Sequence, residues 1–223
     1  MTSQEIYKRF LLKINKNDSN DGVNILPSHF ILLFNTEAVR WLGEKLRKEG
    51  DNIRLDQLDT MLESDVPLTL IKKFDDYSYF QLPEDFYRHA SSFSVCDGDE
   101  CKDVKVYHFE KKSLGFTATL ADDFNRPQFD FEETPIIITK NRMKIYFDDF
   151  EIKKVFLSYY RVPTIIDIAG YTKIDGSAST DIDCDLVPDS IDEILNRAAV
   201  EVNREYKDTE GIGLRKDAIT TEP

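Results

Sequence analysis

Ser190-Ile-Asp-Glu-Ile-Leu-Asn-Arg-Ala-Ala-Val-Glu-Val-Asn-Arg-Glu-Tyr206 decides how the rest of the chain is read. Ile191, Ile194, Leu195, Ala198, Ala199 and Val202 fall at i, i+3, i+4, i+7, i+8 and i+11, one face of a helix. Ser190 and Glu193 have the spacing of a capping box, in which the hydroxyl takes the N3 amide and the carboxylate reaches back. Small Ala198 and Ala199 permit close approach of a second helix. An apolar stripe this late in the chain must find a partner, and the candidates lie in the first third. There Tyr7, Phe10, Leu11 and Ile14 mark one amphipathic helix. Pro27-Ser28 to Gly50 marks a second, with Phe34, Ala38, Trp41 and Leu42 on its inner face. The polar run at residues 15–22 separates them. Leu55, Leu58 and Leu62 suggest a short third helix closed by Val66-Pro67.

Between these helices the period changes. Residues 76–82, 93–96, 104–109, 115–120 and 154–160 alternate as strands do. Pro135 to Thr139 and Met143 to Phe147 form a hairpin around Lys140-Asn141-Arg142. The fold expected is α+β: a helical bundle of N-terminal helices plus the late C-terminal helix, with a large inserted antiparallel β region. Residues 1–70 and 188–207 would make the bundle, 71–187 the β domain, and 208–223 a polar tail that orders on a partner.

The chain has 223 residues and a net charge of −13, which argues against a surface that seeks nucleic acid or anionic lipid throughout. At this length no disulfide or metal is needed to fold. Cys96, Cys101 and Cys184 read as reduced thiols, although Cys96 and Cys101 could meet across a turn. Neither a leader nor a run of about 20 apolar residues is seen, so a soluble product of a cytoplasm is expected.

Catalytic, cofactor-binding and metal-binding residues are expected to be none. His29, His89 and His108 are scattered and have no triad partner in the sequence. Asp181, Asp183 and Asp185 alternate as calcium ligands might, but Leu186 and Asp192 stand where that loop pattern requires Gly and Glu. Asp75-Asp76, Asp122-Asp123 and Asp148-Asp149 read as turn formers. Lys8, Arg9 and Lys13, and Arg40, Lys45, Arg47 and Lys48, read as solvated helix faces with partners such as Glu44 for Lys48.

Three segments in order resemble a known family. Ile25-Leu-Pro-Ser-His-Phe-Ile-Leu-Leu-Phe-Asn35, with Ala38 and Trp41, is similar to the early helix of phage head-to-tail connector proteins. Tyr79-Phe-Gln-Leu-Pro-Glu-Asp-Phe86, with Arg88, resembles their Leu-Pro-x-Asp-Phe segment. Phe156-Leu-Ser-Tyr-Tyr-Arg-Val-Pro163, then Asp185-Leu-Val-Pro-Asp189 and the last helix, resembles the return to their bundle. The broad family is the adaptor ring of short-tailed phages (tail tubular protein A type), most like the ring or neck proteins of crAss-like phages. Residues 97–126 have no counterpart in it.

The resemblance implies a non-enzymatic virion protein without cofactors. Copies of the chain, commonly twelve, would form a ring below the portal protein and touch other neck or tail rings. Double-stranded DNA would pass through the channel without specific binding, and no membrane would be involved. Assembly would occur in the host cytoplasm. The contacts are expected to be polar, and the isolated chain weakly associating. The other readings are a β-rich module that binds a carbohydrate or peptide, with helical flanks, and a hydrolase with dispersed acids.

Overall fold

The computed structural model describes residues 1–15, 25–47, 57–97, 102–110, 127, 129, 132–148, 150–173 and 176–207. They group into two compact units, one of residues 1–60 with 163–223 and one of residues 61–162.

The second unit is a mixed sheet. Its strands are β1 (Leu62–Pro67), β2 (Thr69–Lys73), β3 (Tyr77–Gln81), β4 (Phe86–Asp97), β5 (Val104–Glu110), β6 (Glu133–Thr139), β7 (Arg142–Tyr146) and β8 (Glu151–Arg161). They lie in the order β1-β8-β4-β5-β6-β7-β3-β2. One cluster of buried side chains takes Val155, Leu157 and Tyr159 from β8, Phe80 from β3, Ile136 from β6, and Met143 and Ile145 from β7. Strands far apart in the order share a core, so the sheet is curled back on itself. β1 pairs with β8 and β2 with β3, and only Leu68 separates the two. The Leu68 amide donates to the Val155 carbonyl at 2.9 Å. One bent segment therefore bridges both ends of the sheet. A bulge between Glu63 and Val66 makes part of the bend. It puts Asp65 at φ +52°, a region that Asp tolerates better than most residues. The Ser158 hydroxyl accepts from the Asp65 amide at 3.1 Å and donates to its carboxylate at 3.2 Å.

Among its described residues the first unit holds three helices: α1 (Ser3–Asn15), α2 (Pro27–Arg47) and α3 (Pro188–Lys207). α1 and α2 both pack on α3. Trp41 is wholly buried with Phe10, Phe30, Ile191, Ile194, Leu195 and Ala198. Its indole N–H donates to Glu193 at 3.1 Å. Lys45 pairs with the same carboxylate at 2.9 Å and Arg197 at 3.0 Å. A loop of residues 163–187 is tied by the bridges Asp167 to Ile182 and Thr172 to Ala178. It turns at Gly176, whose φ of +84° suits a residue without Cβ.

The expected fold class is corrected. The protein is predominantly β, a curled eight-stranded mixed sheet with three helices among the described residues. It is not a helical bundle carrying an antiparallel β insertion. Two stretches cause the difference. Leu62 to Pro67, read as the end of a third helix, is the strand β1, and Asp59–Met61 makes only one 3-10 turn before it. β-Branched Val66 and the edge position of Pro67 fit a strand better than a helix end. The sheet is also not purely antiparallel, because β5 and β6 run parallel. A parallel pair needs a crossover of a dozen or more residues, which an antiparallel hairpin does not.

The capping box at Ser190 also fails. α3 starts earlier, at Pro188, and the Ile191 amide bonds the Val187 carbonyl at 3.1 Å. Proline is preorganised for the first helical position. Ser190 Oγ is buried without a hydrogen-bond partner among the described residues, and Glu193 is spent on Trp41. The expected strand at 115–120, the loop at 15–22 beyond Asn15, Leu55, Lys48, Gly50, Cys101, Asp122-Asp123, Asp149 and the tail at 208–223 lie outside the described residues.

Candidate functional site

His108 on β5 is held between two seryl hydroxyls of β4, with Nε2 2.7 Å from Ser94 Oγ and Nδ1 2.8 Å from Ser92 Oγ. His89 Nε2 lies 2.9 Å from the same Ser92 hydroxyl. The four side chains form one hydrogen-bonded chain, His89–Ser92–His108–Ser94. Sequence reading missed it, although Ser92 and Ser94 alternate on one face of a strand. Burial, with the nearby His89, pushes the His108 imidazole down to about 3, so the ring stays neutral at physiological pH. The serine–imidazole distances suit a nucleophile and its base. Ser94 and Ser92 are, however, 0% and 4% exposed, and the second ring nitrogen meets a hydroxyl instead of a carboxylate. The chain satisfies polar groups inside the sheet. His29 stands apart on the first turn of α2, beside a groove of about 390 Å³ lined also by Leu32, Glu37 and Arg40.

The acidic triplet is used locally. Asp181 Oδ1 accepts from the Ala169 amide at 2.9 Å, Asp183 Oδ1 from the Ser3 amide at 3.0 Å, and Asp185 Oδ2 from the Thr164 hydroxyl at 2.5 Å. Among the described residues no group of three metal-ligating side chains occurs. Asp75 and Asp76 occupy the turn between β2 and β3, where the Asp76 carbonyl accepts from Phe147.

Several of the basic helix residues tie the helices together. Lys13 of α1 donates to Asn196 of α3 at 2.7 Å, and Lys45 of α2 pairs with Glu193 of α3 at 2.9 Å, whereas Arg40 pairs within α2 with Glu37 at 2.6 Å. Glu44 takes Arg197 of α3 at 2.8 Å. Cys96 and Cys184 are buried and free. Burial, with the neighbouring Asp97 charge, pushes the Cys96 thiol up to about 12. Neither is placed to act as a nucleophile.

What remains is the sheet face turned away from the core. Alternation on β3 puts Ser78 and Phe80 inside and Tyr77 and Tyr79 outside. On β7 it puts Met143 and Ile145 inside and Arg142 and Lys144 outside. The register sets Tyr77 opposite Tyr146, Tyr79 opposite Lys144 and Gln81 opposite Arg142. Phe74 stacks on Tyr77 at 4.5 Å between centroids, and Tyr79 meets both rings edge-on. Cations cover the rings. Lys144 Nζ is 3.6 Å from the Tyr77 centroid and 4.2 Å from that of Tyr146. Lys72 lies 4.6 Å from Phe74, and Arg142 5.2 Å from Tyr79. A smaller group repeats the pattern across β8, β4 and β5. Phe156 stacks on Phe93 at 5.1 Å, Tyr107 follows, and Lys105 sits 4.6 Å from Phe93.

Apolar side chains also reach solvent in both units. Leu12 is 71% exposed, Leu32 67% and Leu26 59% in the helical unit, and Leu70 51% and Ile71 49% on β2. Leu12 and Leu32 sit off the buried stripes of α1 and α2, where a sequence pattern does not count them. No helix among the described residues is long and apolar enough to cross a membrane. No protein-family model matches this chain, and no curated protein does.

Proposed function

We propose that the chain is a structural, non-enzymatic ring protein of the head-to-tail connector of a short-tailed phage. Copies of it would join around the channel below the portal protein, beside other neck and tail rings, and duplex DNA would pass without specific binding. One observation carries this reading: each unit exposes its own apolar group, Leu12 and Leu32 on the helices with Leu26 just before α2, and Leu70 and Ile71 on the sheet. A ring closed by rotation is built from heterologous contacts, so each copy needs two different patches. The reading does not use the bundle architecture that the resemblance implied. A net charge of −13 suits a channel wall that repels phosphates. Ser92 and Ser94, the hydroxyls of the serine–histidine chain, are buried and offer no accessible nucleophile, which agrees with a structural role.

The test is to mix the purified chain with the portal protein of the same phage and image the product. Rings stacked on the portal, and the chain among the proteins of purified particles, are the expected results. A stable monomer that ignores the portal, binds a glycan or peptide, and is missing from particles would overturn the reading.

A further inference from the structure

We infer that the cation–aromatic face of β2, β3 and β7 is a docking surface for the acidic 181–192 segment of a second copy of this chain. The inference deepens the ring reading by naming one contact within it. Lys72, Arg142 and Lys144 are held over Phe74, Tyr79 and Tyr77. None of the three has an ion-pair partner among the described residues, in a chain with 42 carboxylates. Aromatic faces attract a cation without cancelling its charge. The patch therefore presents fixed, un-neutralised positive charge with apolar edges.

Its occupant follows from what it leaves open. A nucleic-acid strand would stack bases on free ring faces. Tyr77 offers none, with Phe74 on one side and Lys144 against its ring, and the overall charge repels a phosphate backbone. An acidic polypeptide needs only the charges and the ring edges. The chain carries one. Asp181, Asp183, Asp189 and Asp192 are all exposed within twelve residues, with Ile182 exposed between the first two. Lys13 lies 3.6 Å from Asp192. One face lies on each unit, so the contact joins unlike patches and propagates from copy to copy.

The experiment uses the full chain. Isotope-labelled and unlabelled copies are mixed at low salt and coupled with a carbodiimide, which joins only amines and carboxylates in contact. Mass spectrometry should find links between copies from Lys72 or Lys144 to residues 181–192. Sedimentation should show weak self-association that fades as salt rises from about 0.05 to about 0.5 M, where screening shortens to a few ångströms. Arg142→Glu with Lys144→Glu, and separately Asp189→Lys with Asp192→Lys, should each weaken it by roughly tenfold or more. Mixing the two variants should restore association, because the reversed faces match again. Circular dichroism checks their folding, and Lys144→Gln with Arg142→Gln serves if the reversals do not fold.

Absence of the cross-links, variants that associate like the wild type, or a mixture that does not recover would overturn the inference. Binding of a single-stranded oligonucleotide at this face, lost in the Glu variant, would also overturn it. Salt-sensitive self-association without portal binding would leave this contact standing and remove the connector reading. Portal-bound rings that survive the reversals would do the opposite.

Discussion

Asp167 is 3% exposed and serves four donors. Its Oδ1 accepts from the Ile168 amide at 2.9 Å and the Tyr171 hydroxyl at 2.7 Å. Its Oδ2 accepts from the Thr180 amide at 3.2 Å and pairs with Lys173 at 2.9 Å. Asp167→Ala leaves all four without that acceptor. At about 1 kcal/mol for each neutral donor, and no more than that for the partly exposed lysine, the loss is about 3–4 kcal/mol. Acid gives an independent figure. Burial works to raise the carboxyl, but Lys173, Tyr171 and the two amides win and hold it at about 2 against an ordinary 3.8. A carboxyl depressed on folding contributes stability above its unfolded value, and that contribution fades as pH falls towards the folded one. The charge-dependent share is thus complete above about pH 4 and largely gone near pH 2, and it amounts to roughly 2 kcal/mol. The assay is urea unfolding followed by fluorescence of Trp41, the sole tryptophan, in the same unit as Asp167. The wild-type and alanine curves should differ by about 3 kcal/mol at pH 7 and by at least 1 kcal/mol less near pH 2.5. A gap under about 1 kcal/mol at pH 7, or one that does not change with pH, would refute the reasoning.

Ala198→Glu should cost at least about 3 kcal/mol, because Ala198 is wholly buried in the helical core with Ile194 and Leu195 and the new charge has no partner there. Trp41 fluorescence in urea reads it, and a stable, unchanged protein would show that the helix packing is wrong. His108→Gln keeps a donor and an acceptor between Ser92 and Ser94 but removes the titration. Its imidazole is depressed on folding to about 3, so the wild type should lose stability as pH falls from about 6.5. At pH 5 that loss reaches about 1–2 kcal/mol, and the Gln variant should lack it. Circular dichroism melts at pH 7 and 5 compare the two, and equal losses would mean that His108 is not buried neutral.

The helices were legible because each writes its burial into a 3.6-residue period. α3 was found from six stripe positions, all of them buried. Its first turn was misread because Ser190 and Glu193 satisfy a local rule that Pro188 and Trp41 override from outside the motif. The strands were legible one at a time, from alternation. Their arrangement was not, since alternation says which residues share a face and nothing about which strand lies beside which. Tyr107 opposite Glu133, the parallel pairing, leaves no period in either strand. Leu62 to Lys73 was hardest of all. Its exposed positions on two edge strands give no apolar alternation, and its role in bridging the ends of the sheet depends on where β3 and β8 have already gone.

The same limit explains why the cation–aromatic face escaped notice. In Tyr77-Ser-Tyr-Phe-Gln81 aromatic residues occupy both faces, so the pattern shows a strand but not which ring is core. Burial separates them: Phe80 is inside, while Tyr77 and Tyr79 are outside and only half-buried. The hydroxyls fit that division, because a tyrosine on the wet face keeps its polar end hydrated while its ring packs on a neighbour. The lysines then follow from register alone, Lys144 lying opposite Tyr79 and beside the Tyr77–Tyr146 pair. Counted along the chain, Lys72, Arg142 and Lys144 are scattered charges in an acidic protein. Counted across the sheet, they are one patch whose charge the rings hold in place and do not neutralise, set in a chain whose net charge is −13.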